Sequence, residues 1–201
     1  NYLVLTFLST MVAAIGLIED NVVVVIGAMV IAPLLGPIIA LAFASTLGDR
    51  RLLMAAAKTA IVGLGLAFLV SLGIGYAWPI DIGRGQILVG STELLARTDV
   101  GLDGVAIALA AGAAAVLSLT TGLSSTLVGV MVAVALLPPT ATLGLLLGGG
   151  LPELAFGALL LLLVNIVCVI VAAKVVFHSR GVSPRTWYER SKAKQSRTLA
   201  L

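Results

Sequence analysis

Six apolar runs, each long enough to cross a bilayer and separated by short polar punctuation, constrain this 201-residue chain more than any other feature. They are Tyr2–Ile18, Val22–Leu47, Leu52–Ala77, Gly104–Thr120, Thr126–Leu147 and Leu154–Phe177. A helical crossing needs roughly 17–25 predominantly apolar residues, and each run supplies them. The punctuation is Glu19-Asp20-Asn21, Gly48-Asp49-Arg50-Arg51, Thr121–Ser125 and Gly148–Glu153, with Trp78–Asp103 as the one long connection. With 60% hydrophobic and 10% charged residues, there is more apolar surface than one aqueous core can hide. The expected fold is an all-α polytopic membrane bundle, residues 1–177, followed by a basic tail, residues 178–201.

Charge sets the expected orientation. Seven of the twelve Lys/Arg residues (Lys174, Arg180, Arg185, Arg190, Lys192, Lys194 and Arg197) lie at or beyond the end of the last run. Basic flanks mark the cytoplasmic side. With the tail inside, six crossings place the N-terminus inside as well. Arg50, Arg51 and Lys58 then fall inside, Glu19-Asp20 outside, and Arg84 and Arg97 outside in the long loop. In the tail, Ser183-Pro184 suits a helix start, with Trp187 and Tyr188 at headgroup level. A nucleic-acid partner is not expected from so short a tail; the expected partner is lipid. The first run lacks a basic leader and so does not read as a signal peptide. The start at Asn1, directly into a span, leads to the expectation of a preceding segment.

The chain also repeats itself. GAMVIAPLLGP from Gly27 returns as GVMVAVALLPP from Gly129, 102 positions later, pairing Met29 with Met131, Leu34-Leu35 with Leu136-Leu137, and Pro37 with Pro139. The same offset carries Gly48 onto Gly150. Repeat one spans residues 2–77 and repeat two residues 104–177, joined by an external loop, 78–103. A unit with three crossings must return upside down, so the repeats are expected to be inverted. Were the second and fifth runs re-entrant hairpins, the repeats would be parallel and Arg50-Arg51 would face outward, against the charge rule.

Each copy is expected to break its second helix. Pro33, Gly36 and Pro37 interrupt the one, Pro138-Pro139 the other, because proline lacks a donor and clashes with the preceding turn. Backbone groups freed at membrane depth need neighbouring helices or a water-filled cavity. Paired interruptions at matching positions point to a solute path through Pro33, Gly36, Pro37, Pro138, Pro139, Thr140 and Asn165. The rival reading is a pair of kinks repaired by packing. Asn165 reads first as an interhelical hydrogen-bonder and second as a ligand. Thr6, Ser9, Thr10, Thr140 and Thr142 read as hydroxyls bonded back to their own helix.

No carboxylate lies in mid-span, which leaves a proton relay unsupported. One Cys and one His exclude a disulfide framework and a Cys/His zinc site, so no metal or cofactor is expected. No nucleophile–base pair or HExxH run suggests an enzyme. In the long loop Ser91 suits an N-cap, and Glu93 with Arg97 forms an i,i+4 pair, a candidate gate or interfacial pair. Small residues recur every fourth position at Ala55, Thr59, Gly63, Ala67, Ser71 and Gly75, and again at Ala106, Ala110, Ala114, Ser118 and Gly122. Such ridges either pack the halves together or join copies of the chain as a homo-oligomer.

YLVLTFLSTMVAAIGLIEDNVVVVIGAMVIAPLLGPI, TELLART, DGVAIALAAGAAA, GVMVAVALLPPTATLG and LLLLVNIVCVIVAA together resemble the DUF389 family of bacterial and archaeal hydrophobic membrane proteins. The likeness runs from Tyr2 to about Val175. It departs after Arg97-Thr98, where the family's PNLLDL is replaced by Asp99-Val100-Gly101-Leu102-Asp103-Gly104. The resemblance implies a multi-pass protein of the bacterial or archaeal cell membrane, often with a cytoplasmic domain before the first span. It implies no substrate, cofactor or catalytic residue. From the repeat, the leading expectation is a transporter or channel for a small solute or ion; the rival is a membrane scaffold or sensor.

Overall fold

The computed structural model describes residues 1–78, 92–121 and 125–182, with the side chains of all of these except 120 and 125–134. Among them there is no strand. Eight helices follow in order: α1 (Tyr2–Ile18), α2 (Val22–Ile31), α3 (Leu35–Leu47), α4 (Arg50–Ala77), α5 (Thr92–Leu95), α6 (Leu102–Thr121), α7 (Ser125–Gly148) and α8 (Pro152–Ser179). Ser91, Arg84, Gly122, and the tail with Ser183-Pro184, Trp187 and Tyr188 lie outside the described residues.

Local chemistry explains most of the boundaries. The Asn21 side chain accepts from Val24 N at 3.2 Å to start α2. Ala32, at φ −67° and ψ 119°, is extended because a residue before proline is pushed out of the helical region. Pro33 thereby ends α2. Pro37 falls in the first turn of α3, where a missing N–H costs nothing. Gly48 closes α3 at φ 72°, a left-handed position that suits glycine. Asp49 Oδ1 then caps α4, accepting from Arg51 N at 2.9 Å and Leu52 N at 3.2 Å. Gly150 repeats the left-handed turn at φ 79°, and Pro152 opens α8.

Three helices, α4, α6 and α8, are long and apolar enough to cross a membrane; α2 with α3, bent by 57°, makes a fourth if the pair counts as one span. At 17 residues α1 is shorter, as is the Ala135–Gly148 part of α7. The outward face suits lipid. Val23 is 78% exposed and Met54 71%, with Ile61, Leu69, Phe156 and Val175 close behind. Within, small residues dominate: Ala13, Ala14, Ala28, Ala42, Ala67, Ala111, Ala115 and Ala158 have no exposure, alongside Leu136, Leu137, Leu145 and Leu146. Small residues let helix backbones approach closely, the kind of packing found where lipid replaces water around helices.

α4 and α7 run parallel at such a contact. A Cβ on Gly144 would strike the Ser71 hydroxyl and Phe68 O, and one on Gly148 would strike Leu72 O and Tyr76 N. Likewise a Cβ on Gly75 would enter the Leu145 backbone. The ridge through Gly63, Ala67, Ser71 and Gly75 is therefore spent inside one chain. On α6 the expected ridge is displaced. Ala106 and Ala110 are exposed, Ala114 is half-buried and Ser118 is buried, while Ala108, Ala111, Gly112 and Ala115 face inward, with Gly112 against the Val169 backbone of α8. The spacing of small residues on α6 supports two stripes, and packing against α8 chooses between them.

The contacts also sort the ends of the helices. At one end Tyr2 OH donates to Thr59 O at 3.3 Å, and Phe43 meets Phe177 edge-on with ring centroids 5.3 Å apart. Arg50, Arg51, Lys174, His178 and Arg180 lie near this end. At the other, Asp20 meets α5, and Gly157 of α8 lies against Thr98. Glu19, Asp20, Glu93, Asp99 and Glu153 gather there.

Candidate functional site

The proline segments do not behave alike. In repeat one the helix breaks: Pro33 and Pro37 are half-buried, and Gly36 is exposed with open space beside it. No side chain caps the start of α3, so the break presents the carbonyls that end α2 and the amides that begin α3. These ends carry opposite partial charges. No Asp, Glu, Lys or Arg lies between Val22 and Gly48.

In repeat two α7 runs unbroken through Pro138-Pro139, which corrects the expectation of a second break. Pro138, Pro139 and Thr140 are buried. A residue 139 with an N–H would donate to the carbonyl of Ala135, four residues back. Proline cannot, and Asn165 of α8 does so instead: its Nδ2 donates to Ala135 O at 2.8 Å. Of the two readings of Asn165, the interhelical hydrogen bond is the one observed. Its Oδ1 is buried and accepts no hydrogen bond among the described residues. Thr140 bonds back to Leu136 O at 2.7 Å, as Thr6 does to Tyr2 O and Ser9 and Thr10 do to Thr6 O. Thr142, expected to do likewise, is fully buried with its hydroxyl unpartnered among the described residues.

The asymmetry follows from residues at equivalent repeat positions. Counting 102 back, Ala135 corresponds to Pro33, Pro139 to Pro37 and Asn165 to Gly63. Gly63 has no side chain to offer, and Tyr2 OH fills the space in front of it. Each segment thus has two prolines, but repeat one places its first at Pro33, where repeat two has Ala135, and lacks the donor that Asn165 supplies to repeat two.

Glu93 and Arg97 do form an ion pair, at 2.5 Å, and Arg97 Nη1 also donates to Glu93 O at 2.6 Å. They sit with α5 at the acidic end of the bundle, where Leu94, 1% exposed, anchors the helix against α1. The partner of this turn is what sequence reasoning misses. Asp20 accepts from Glu93 N at 2.8 Å and from the Thr92 hydroxyl. An Asp in a tight connection after a helix is the only available signal. Nearby, a pocket of about 200 Å³ opens between α1 and α4, lined by Met11, Ile15, Ile18, Ile74 and Trp78, with Glu19 at its edge. Among the described residues no three His, Cys, Asp or Glu side chains gather to hold a metal ion.

The described residues thus form an all-helical structure with apolar outward faces, compatible with a membrane location. The chain belongs to the family described as Domain of unknown function (DUF389), whose model matches residues 29–171. It is 38% identical over 199 residues to an uncharacterized protein of Methanocaldococcus jannaschii, covering 99% of this chain and 60% of that protein's length. No solved structure matches.

Proposed function

We propose that this chain is the membrane domain of a bacterial or archaeal cell-membrane protein that passes a small solute or ion where its two proline segments meet the bundle interior. In this reading it has six crossings, both termini cytoplasmic, and two inverted repeats. The observation that carries it is the register of the halves. Shifted by 102, the bounds of α4 coincide with those of α8, and α1 and α2–α3 fall on α6 and α7 within two residues or so. Counterparts run in opposite directions: α4 leads from the basic end to the acidic end, α8 from the acidic end to the basic end. Neighbour relations repeat too, since α4 packs on α7 and α8 on α3, while α1 packs on α4 and α6 on α8. Inverted repeats with an interrupted helix near their interface are the architecture in which solute sites are built.

The segregation of charge supports the orientation, with Arg50, Arg51 and Lys174 at the end assigned to the cytoplasm. A homo-oligomer would use the exposed Ala106 and Ala110 of α6 or Ala55 and Thr59 of α4, because the rest of the α4 ridge, from Gly63 to Gly75, is packed within the chain.

One observation favours a second reading, a scaffold or sensor that transports nothing. The α7 segment is buried from Ala135 through Thr142 and the Ala135 carbonyl, one of the two that the prolines free, is satisfied, as a packed kink requires. Single cysteines at Leu35 and Leu137, in a Cys168→Ala background, decide between the two. Labelling by a small membrane-impermeant thiol reagent in oriented vesicles is expected at Leu35, beside the open break. Protection of both positions from both sides would overturn solute passage in favour of the scaffold.

A further inference from the structure

We propose that the Asn165–Ala135 hydrogen bond is a latch that holds α7 together as one continuous helix, and that its release lets α7 break at Pro138-Pro139 as the α2–α3 pair already breaks at Pro33. Its place in solute passage rests on the reading above; its hold on α7 does not. A helix that continues through two prolines loses two hydrogen bonds at one level, and the carbonyls left behind must find other partners at membrane depth. For Ala135 that partner is a single side-chain amide from another helix, at 2.8 Å. Nothing within α7 can replace it, because the residue positioned to donate is Pro139.

Repeat one displays the conformation without the latch. At the position equivalent to Asn165 stands Gly63, which offers no donor. Residues 33–37, the counterpart of residues 135–139, fall where the chain separates into two helices bent by 57°. The two halves thus hold related segments in two conformations, one latched and one open. Asn165 is also suited to letting go. Its Oδ1 is buried and accepts no hydrogen bond among the described residues, so the amide is held on one side only.

The test is hydrogen–deuterium exchange on the full chain in lipid nanodiscs, read on peptides covering residues 136–146. Asn165→Leu removes the donor at similar volume. Pro139→Ala restores a backbone N–H to Ala135 and makes the latch redundant. Asn165→Leu is expected to speed exchange about tenfold, the scale set by losing a buried hydrogen bond, and to change it less than about twofold when Pro139→Ala is also present. An equal effect in both backgrounds, or none in either, overturns the latch. If Asn165→Leu alone does not accumulate as folded protein, recovery in the double variant is the expected result and continued failure overturns the proposal. Cysteine labelling at Leu35 and Leu137 reads solute passage separately, so the two ideas fail on different measurements.

Discussion

Asp20 and Glu93, 73 positions apart, are joined by a 2.8 Å hydrogen bond from the Glu93 backbone amide to the Asp20 carboxylate. Asp20 sits at φ 54°, a left-handed conformation that Asp tolerates better than most residues. From there its carboxylate caps α5, accepting an amide of the first turn. Loss of such a cap costs about 0.5–2 kcal/mol. Asp20→Ala is therefore expected to lower the thermal midpoint in detergent and to speed amide exchange over residues 92–97. Asp20→Asn, which keeps an acceptor, should cost less; equal damage from both would point away from capping.

The contact between α4 and α7 leaves no room for a methyl group. Gly144→Ala or Gly75→Ala would press a Cβ into the opposing backbone, and overpacking of this kind costs about 1–3 kcal/mol. Gly65, also in α4, has open space beside it, and Gly65→Ala is expected to be neutral or to stabilise by up to about 1 kcal/mol. Thermal unfolding of the three variants in one detergent checks the contrast, which vanishes if α4 and α7 do not touch here.

The Glu93–Arg97 pair is partly exposed and one turn apart, and pairs of this kind contribute about 0.3–0.5 kcal/mol. Arg97→Gln is expected to shift the thermal midpoint little, much less than Asp20→Ala. A large shift, or a large dependence on salt, would show that the pair fastens more than its own helical turn.

For the orientation proposed above, a reporter fused after Leu201 should be active only in its cytoplasmic form. Changing Arg50 and Arg51 to Gln, which removes the short-loop positive charge, is expected to produce a mixture of orientations. A periplasmic or external reporter signal from the unaltered chain would reverse the assignment.

Much of the secondary structure is legible in the sequence because its causes are local. The first apolar run and α1 share the bounds Tyr2–Ile18, since Glu19-Asp20-Asn21 ends one helix and caps the next. Gly48 and Gly150, matched by the repeat, both adopt the left-handed conformation that a glycine accepts without strain. Pro33 breaks its helix by acting on the residue directly before it, and Ala32 is extended as that rule requires.

Where the partner comes from another helix, the sequence by itself does not decide. Pro138-Pro139 reads as no less disruptive than Pro33 and Pro37, yet α7 continues, with Asn165, 30 positions from Ala135, supplying one of the two missing donors. The stripe of α6 that faces inward is settled by α8, and the cap on α5 by a carboxylate from the far side of α4 in sequence. The sequence alone determined that this chain is helical and too apolar for an aqueous core, because those properties follow from composition and near-neighbour sterics. Only the tertiary structure decided which proline segment breaks, because an orphaned carbonyl is satisfied by whichever donor the packing brings within hydrogen-bonding distance.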